Sequence, residues 1–213
     1  MQLAIRHLLP TYFTESATQI SEIWGKDLVV EKGELIKIVA PSGNGKSSLI
    51  HFLYGMRSDY NGIISYAARN MNEFSIEDIA RYRRDHISIV FQDMKLFADQ
   101  TVQDNLEIKR QLNPYHPAGK IKEMAERLGI GDRLSIKCGT CSYGEQQRTA
   151  IIRSLLQPFD ILLLDEPFSH LDNNNSEKAM KLVLEEAGAR NAAIIFVDVE
   201  RKDLFPFSRL YHL

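Results

Sequence analysis

Residues 40–48 read Ala-Pro-Ser-Gly-Asn-Gly-Lys-Ser-Ser, directly after the apolar run Leu35-Ile36-Lys37-Ile38-Val39 and directly before the helix-like Leu49-Ile50-His51-Phe52-Leu53. Strand, glycine-rich turn and helix is the context of a phosphate-binding loop, and the spacing matches G-x-x-x-x-G-K-[ST] except that Ala40 stands at the first Gly. The backbone N–H groups from Ser42, Gly43, Asn44 and Gly45 into Lys46, Ser47 and Ser48, with the positive end of the helix, can surround a phosphate. Gly43 and Gly45 allow the backbone to curl without a Cβ clash. Lys46 is expected to reach the β- and γ-phosphates of a nucleotide, and Ser47 to offer its hydroxyl to Mg²⁺. The methyl of Ala40 is harmless if φ there is negative.

The chain has 213 residues, with 44% apolar and 25% charged residues, which is ordinary for a globular protein with a sizeable core. A formal charge of −2 and a pI near 6.3 give no global pull toward nucleic acid or anionic lipid. No apolar run approaches the ~20 residues of a spanning helix, so direct membrane insertion is not expected. The stretch Leu3-Ala4-Ile5 meets Arg6 too early for a signal peptide, which predicts residence in the cytoplasm. Cys138 and Cys141 form a C-x-x-C without a second pair or a redox-type βαβ start, and read as small residues before a helix.

The remaining order is that of an α/β protein. Residues 2–33 alternate apolar and polar in short runs and predict a small antiparallel β layer. A turn over 58–62 leads to a strand over 63–66, and Ser75 with Asp78 forms a capping box opening a helix to about residue 84. After a strand over 86–91, Thr101-Val102-Gln103-Asp104 and Pro117-Ala118 open two helices, and residues 93–157 are expected to be mostly helical. The run Ile161-Leu162-Leu163-Leu164-Asp165-Glu166 is a parallel strand covered on both faces, with acids at its carboxyl end where ligands bind. A helix over about 174–187 and strands over 193–197 and 209–212 complete the chain.

Asp165 is suited to hold Mg²⁺ through water and Glu166 to polarise an attacking water. Between the two nucleotide motifs stands Cys141-Ser142-Tyr143-Gly144-Glu145-Gln146-Gln147-Arg148, which resembles the L-S-G-G-Q-Q-Q-R signature of ATP-binding cassette (ABC) ATPases. The resemblance runs from Tyr12 to Leu210 and implies one cassette domain over residues 1–213. Its fold would be a P-loop NTPase (RecA-like) α/β core with a mostly parallel sheet, an N-terminal antiparallel β layer and a helical signature-motif lobe. The core lobe would cover about 1–92 and 158–213, and the helical lobe about 93–157.

By the same resemblance Tyr12 stacks on adenine, Gln92 in Val90-Phe91-Gln92-Asp93 is the Q-loop glutamine and a Mg²⁺ ligand, and Ser169-His170-Leu171-Asp172 is the D-loop. A core aromatic for Tyr12, a strand-end polar residue for Gln92 and a helix N-cap for Asp172 stay open beside these readings. Two cassettes pack head to tail in the family. Ser142 and the N–H groups near Gly144 would then contact the γ-phosphate held by the partner's loop.

Beyond Ala40, the chain departs from the family pattern at Asp198, Tyr143 and Glu145 in ways that bear on the site. Asp198 stands where the family carries a His that contacts the γ-phosphate, and an ionised carboxylate cannot donate a hydrogen bond. Slow hydrolysis is therefore expected, with Glu166, Lys46 and Gln92 retained. Tyr143 replaces the first signature Gly, and Glu145 replaces a Gln on the first helical turn, where the macrodipole favours it. His170 reads as a D-loop surface residue.

The chain resembles the short cassettes that drive lipoprotein release or peptide and macrolide export. The resemblance implies ATP and Mg²⁺, a separate transmembrane permease, and a head-to-tail homodimer or a related cassette. Residues 93–97 either line the groove for the permease or belong to the core. A non-transport ABC-type ATP switch and an ATP-binding regulator with little turnover are the alternatives, and nucleic acid is not an expected partner.

Overall fold

The computed structural model describes residues 1–13, 20–199 and 205–213, so Glu200, next to Val199, lies outside it. In chain order the strands are β1 (Leu3–Pro10), β2 (Leu28–Val30), β3 (Leu35–Val39), β4 (Tyr60–Tyr66), β5 (Arg69–Asn70), β6 (Ile87–Val90), β7 (Ile161–Asp165), β8 (Ala193–Asp198) and β9 (Arg209–His212). The helices are α1 (Lys46–Leu53), α2 (Ile76–Asp85), α3 (Val102–Leu112), α4 (Gly119–Arg127), α5 (Tyr143–Leu155) and α6 (Asn173–Arg190).

Five strands form a parallel sheet in the order β6-β7-β8-β3-β9. All five residues of β7 are buried, and its side chains alternate between two cores. Leu162 and Leu164 join Ile194 and Phe196 against the helices α3 to α6, whereas Ile161 and Leu163 join Ile36, Ile38, Ile195 and Val197 against α1 and the second sheet. Period-two alternation with both faces covered explains why the sequence reads as continuous apolar runs. Truncating a fully buried leucine such as Leu163 to Ala is in the class that costs about 2–5 kcal/mol.

The second sheet is antiparallel, ordered β2-β1-β4-β5, and forms the expected N-terminal layer. Here the structure corrects two boundaries. β4 begins at Tyr60 rather than after the expected turn, because its pairing with β1 continues past a register shift to Pro10↔Tyr60. Gly62 makes this possible at φ 97°, where a Cβ would lie 2.5 Å from the His7 carbonyl oxygen. At the other end of the chain α6 runs three residues beyond 187. Arg190 extends it by pairing with Glu186 and donating to the Leu155 carbonyl, and Asn191 closes it in the left-handed region.

Capping boxes open α2 at Ser75/Asp78 and α3 at Thr101/Asp104. Cys138 and Cys141 are buried free thiols in the turn before α5, and burial pushes the Cys138 thiol up to about 11. Among the described residues no helix is long and apolar enough to cross a membrane.

Candidate functional site

The carboxyl ends of β3, β6, β7 and β8 converge on one edge of the parallel sheet, and the loop after β3 curls across it. Gly43 and Gly45 both take φ 88°, while Ala40 is not among the residues with positive φ. Ala40 is buried instead, and its N–H donates to the Asp198 carbonyl at 3.1 Å. A Cβ on Gly45 would lie 3.1 Å from both Phe13 and Trp24, so neighbouring aromatics as well as φ require glycine there. Asn44 spends its N–H on the Pro41 carbonyl, and its own carbonyl accepts from the Trp24 indole N–H at 3.4 Å.

Lys46 is 6% exposed and its ammonium is fully engaged by the chain. It donates to the carbonyls of Ala40 at 3.0 Å and Pro41 at 3.2 Å, and pairs with Glu166 at 3.3 Å. The Gln92 amide donates to the Glu166 carboxylate at 3.4 Å, and the Ser47 hydroxyl donates to the Gln92 amide oxygen at 3.4 Å. Gln92 is exposed at this centre, so it is more than a polar strand end. The two contacts it makes sit at the long end of hydrogen-bond range and can exchange for a ligand at little cost.

Beneath them Asp165 is 1% exposed. Burial pushes its carboxyl up to about 6, against a hydrogen bond from Ser47 that lowers it. Its Oδ1 has no hydrogen-bond partner. A buried carboxylate oxygen without a partner beside a serine hydroxyl and a glutamine oxygen is an oxygen donor set that fits Mg²⁺. Among the described residues no cluster of three His, Cys, Asp or Glu forms a metal cage, so such an ion would depend on phosphate and water for its other ligands.

The loop borders a cavity of about 300 Å³ lined by Tyr12, Phe13, Ser42, Gly43, Gly45, Lys46, Ser47, Ser48, Gln92 and Glu166. Tyr12 is 51% exposed at its rim and therefore not a core aromatic. Its hydroxyl meets the Ser48 hydroxyl at 2.6 Å.

Ser142, Gly144 and Asp172 line no part of this cavity. Ser142 caps α5 through a capping box: its hydroxyl oxygen accepts from the Glu145 N–H at 3.3 Å, and the Glu145 carboxylate accepts from the Ser142 N–H at 2.7 Å. That backbone bond, assisted by Arg133, holds the Glu145 carboxyl below its ordinary value. The pattern Ser-x-x-Glu at 142–145 was the signal for this cap. A Cβ on Gly144 would lie 3.0 Å from the His170 carbonyl, which explains why this signature glycine is kept. Tyr143 is 67% exposed and stacks on the His170 ring, with centroids 5.2 Å apart. Asp172 caps α6 by accepting from the Asn175 N–H at 2.8 Å.

Sequence reasoning passed over Gln147. Its buried amide donates to the Glu166 carbonyl at 3.3 Å and the Ser169 hydroxyl at 3.1 Å, and its oxygen accepts from the His170 N–H at 2.9 Å. Glu166 sits at φ 47°, a region a non-glycine residue occupies only when its surroundings hold it there. The Glu166 N–H donates to the Val197 carbonyl and its carbonyl also accepts from Ser169. Gln147 thus ties the signature helix to the strained turn that aims Glu166.

Asp198 turns its carboxylate onto the Val199 N–H at 2.7 Å. It lines a separate cavity of about 310 Å³ together with Glu166 and the buried Lys37, rather than the loop cavity. Residues 93–97 are partly core and partly exposed. Met94 is buried in the helical-side core and Leu96 packs on it, Phe97 is 55% exposed, and the Met94 and Lys95 carbonyls accept from Arg153.

Residues 25–169 match the family model described as ABC transporter. The chain is 32% identical over 199 residues to the macrolide export ATP-binding/permease protein MacB of Hyphomonas neptunium, covering 90% of this chain and 30% of that protein. It is 31% identical to the protein of the same name from Nitrosomonas europaea, with 91% and 30% covered. It therefore spans less than a third of the length of these relatives. A bacterial ABC transporter cassette solved as a dimer superposes with a TM-score of 0.75 at 25% identity, over 92% of this chain and 88% of that one. The ADP- and Pi-bound post-hydrolysis dimer of an ATP-binding cassette superposes with a TM-score of 0.80 at 23% identity, over 93% and 88%. With the family model spanning more than half of the chain and the loop, strand-end acids and signature helix arranged as described, this chain belongs to the ABC transporter family as an ATP-binding cassette ATPase.

Proposed function

We propose that the chain binds and hydrolyses ATP to power an ABC transporter through a separate membrane permease, lying against the inner face of the cell membrane through that partner. The observation that carries this reading is the convergence of Lys46, Gln92 and Glu166 above a buried Asp165 oxygen without a partner. One cassette would extend over residues 1–213, with a core lobe at 1–92 and 158–213 and a helical lobe at 93–157.

The chemistry follows from exchanges among existing contacts. A triphosphate in the loop offers Lys46 oxygens that carry full charge in place of the Ala40 and Pro41 carbonyls, and charge-assisted bonds are the stronger. As Lys46 turns to the phosphates, Glu166 loses its cation and its carboxylate becomes available to accept a proton from water. Gln92, bonded to both Ser47 and Glu166, orients that water in line with the γ-phosphoryl. Ser47 and Asp165 would hold Mg²⁺, which when bound neutralises charge on the β- and γ-phosphates. Tyr12 stacks the base.

The second half of the site comes from another cassette packed head to tail. Ser142 would turn its hydroxyl hydrogen from the neighbouring Glu145 carboxylate to a γ-phosphate while its oxygen stays in the cap. The N–H groups at the start of α5 and Asp172 complete that face. Asp198 supplies no donor, and hydrolysis is slow as a result.

ATP turnover and ATP-induced dimerisation of the wild type, Glu166→Gln and Asp198→His test this. Glu166→Gln is expected to lose about 10²–10⁴-fold in turnover while keeping ATP and forming a longer-lived dimer. Asp198→His is expected to speed single turnover. A Glu166→Gln chain that turns over normally would sink the assignment of Glu166. Wild-type turnover at background, with ATP still bound, would favour the ATP-binding regulator, a reading that the Asp198 carboxylate supports. A neighbouring reading frame with several spanning segments favours transport over a switch.

A further inference from the structure

We propose that Arg57 is a positioning residue for the nucleotide base, fixing Tyr12 as a one-sided stacking platform and joining it to the phosphate loop. The inference rests on the reading of Tyr12 as the base-stacking aromatic.

Tyr12 is half-exposed at the end of β1, where an aromatic side chain would ordinarily be free to change rotamer. Three contacts hold it, and a fourth links two of its partners. The Arg57 guanidinium lies over its ring, 5.3 Å from the centroid. Phe13 meets the ring edge-on at 5.2 Å and 86°. Its hydroxyl is 2.6 Å from the Ser48 hydroxyl, and Ser48 Oγ also accepts from Arg57 Nη1 at 3.2 Å.

Arg57 is itself fixed. Nε donates to Asp59 at 2.9 Å, Nη2 donates to the other oxygen of the same carboxylate, and the guanidinium also lies over Phe52 at 5.4 Å. A planar fork paired on one side and stacked on another keeps its orientation, which lysine could not reproduce.

With the guanidinium over the ring and Phe13 standing perpendicular to it, a flat ligand would take the face of Tyr12 turned away from Arg57. A platform fixed in advance loses less freedom when a base stacks on it. Ser48 belongs to the first turn of α1, so the Tyr12–Ser48–Arg57 triangle also fixes the distance between base and triphosphate.

Nucleotide and bare triphosphate separate this role from a structural one. Trp24 is the only tryptophan of the chain and its indole donates to the loop carbonyl of Asn44, so its fluorescence reports occupancy of the loop. Arg57→Ala is expected to weaken ATP about five- to tenfold, from the lost cation–π contact and hydrogen bond, and to leave tripolyphosphate within about twofold. Arg57→Lys keeps the charge without the fork and is expected to fall between wild type and Arg57→Ala for ATP, again with tripolyphosphate unchanged. Should Arg57→Ala fail to fold, the lysine variant decides on the same two ligands.

Equal weakening of ATP and tripolyphosphate would overturn the proposal, because Arg57 would then act on the phosphates or on the fold. Unchanged or tighter ATP binding would overturn it as well, the latter by placing the guanidinium on the face the base needs. Tyr12→Ala separates the two levels. If it weakens ATP alone while Arg57→Ala changes nothing, the stacking role of Tyr12 stands and the role of Arg57 falls. If Tyr12→Ala leaves ATP binding intact, the reading of Tyr12 itself fails.

Discussion

The loop around Lys46 and the helix start at Ser142 both present backbone N–H groups and hydroxyls, but they satisfy them differently. At the loop the internal contacts are stretched: Lys46 meets Glu166 at 3.3 Å, Gln92 meets Glu166 at 3.4 Å, and Asp165 Oδ1 meets nothing. At α5 the cap is closed by a reciprocal box, and Arg133 donates to Glu145 at 2.7 Å. The first region is an unfinished polar network that a ligand can complete, whereas the second is a finished helix terminus with exposed groups on its outer side. Ligand affinity should therefore concentrate at the loop, and stability of the empty chain should depend more on the helix start than its exposure implies.

Asp165 gives the largest test of that contrast. Its folded value of about 6 lies above the unfolded carboxyl value near 3.8, so between those values the folded chain holds a proton that the unfolded chain has released. Stability of the empty chain from this group is greatest below about pH 4, falls as pH rises to about 6, and is flat beyond. The deficit at neutral pH is about 3 kcal/mol as an order of magnitude. Asp165→Asn, an amide of the same shape without charge, is expected to melt higher than wild type above pH 6 and to lose that advantage toward pH 4. Measured as the difference between the two melting curves, a pH-independent gap would remove the idea that the loop side is held charged and unsatisfied. Mg²⁺ should narrow the gap by restoring the wild type, and should weaken steeply below pH 6.

Gln147 sits between the two regions and sharpens the comparison. Gln147→Leu leaves the His170 N–H without its acceptor and takes one of two donors from the Glu166 carbonyl. Relaxation of Glu166 from its φ of 47° is expected to lower kcat about tenfold with ATP affinity unchanged, and to cost about 1–2 kcal/mol in stability. A fall in affinity of the same size as the fall in kcat would instead mean that the loop itself had moved.

What the sequence made legible, and what it did not, follows the range of the interactions. The loop spacing, the two-faced run at 161–165, the box at Ser75 and the helix start at Thr101 are local patterns, and each appears where expected. The exposure of Tyr12 could not be read, because Arg57, Phe13 and Ser48 decide it across the fold. The start of β4 was hidden for the same reason: its register is set by β1, with Gly62 yielding to the His7 carbonyl. Gln147 looked like one more signature glutamine, and only the turn after β7 shows which groups it holds. The departures Tyr143 and Asp198 were visible as letters, yet their consequences are conformational. One ring stacks on His170, and one carboxylate turns to the Val199 amide.

Ser142 carries the smallest effect and the cleanest separation. Ser142→Ala removes the acceptor for the Glu145 N–H and half of the capping box, and loss of an N-cap of this kind costs about 1 kcal/mol. Ser142→Asp restores the acceptor and adds negative charge at the helix N-terminus, where the dipole favours it, so stability should return. The same carboxylate has no hydrogen to donate and would face a phosphate with like charge. The two variants should therefore order oppositely: aspartate above alanine in thermal melting of the empty chain, and aspartate below alanine in ATP-induced dimerisation, with ATP affinity of the single chain untouched by either. If the dimer instead followed the melting order, Ser142 would serve the helix alone, and the finished terminus would have no part in the composite site.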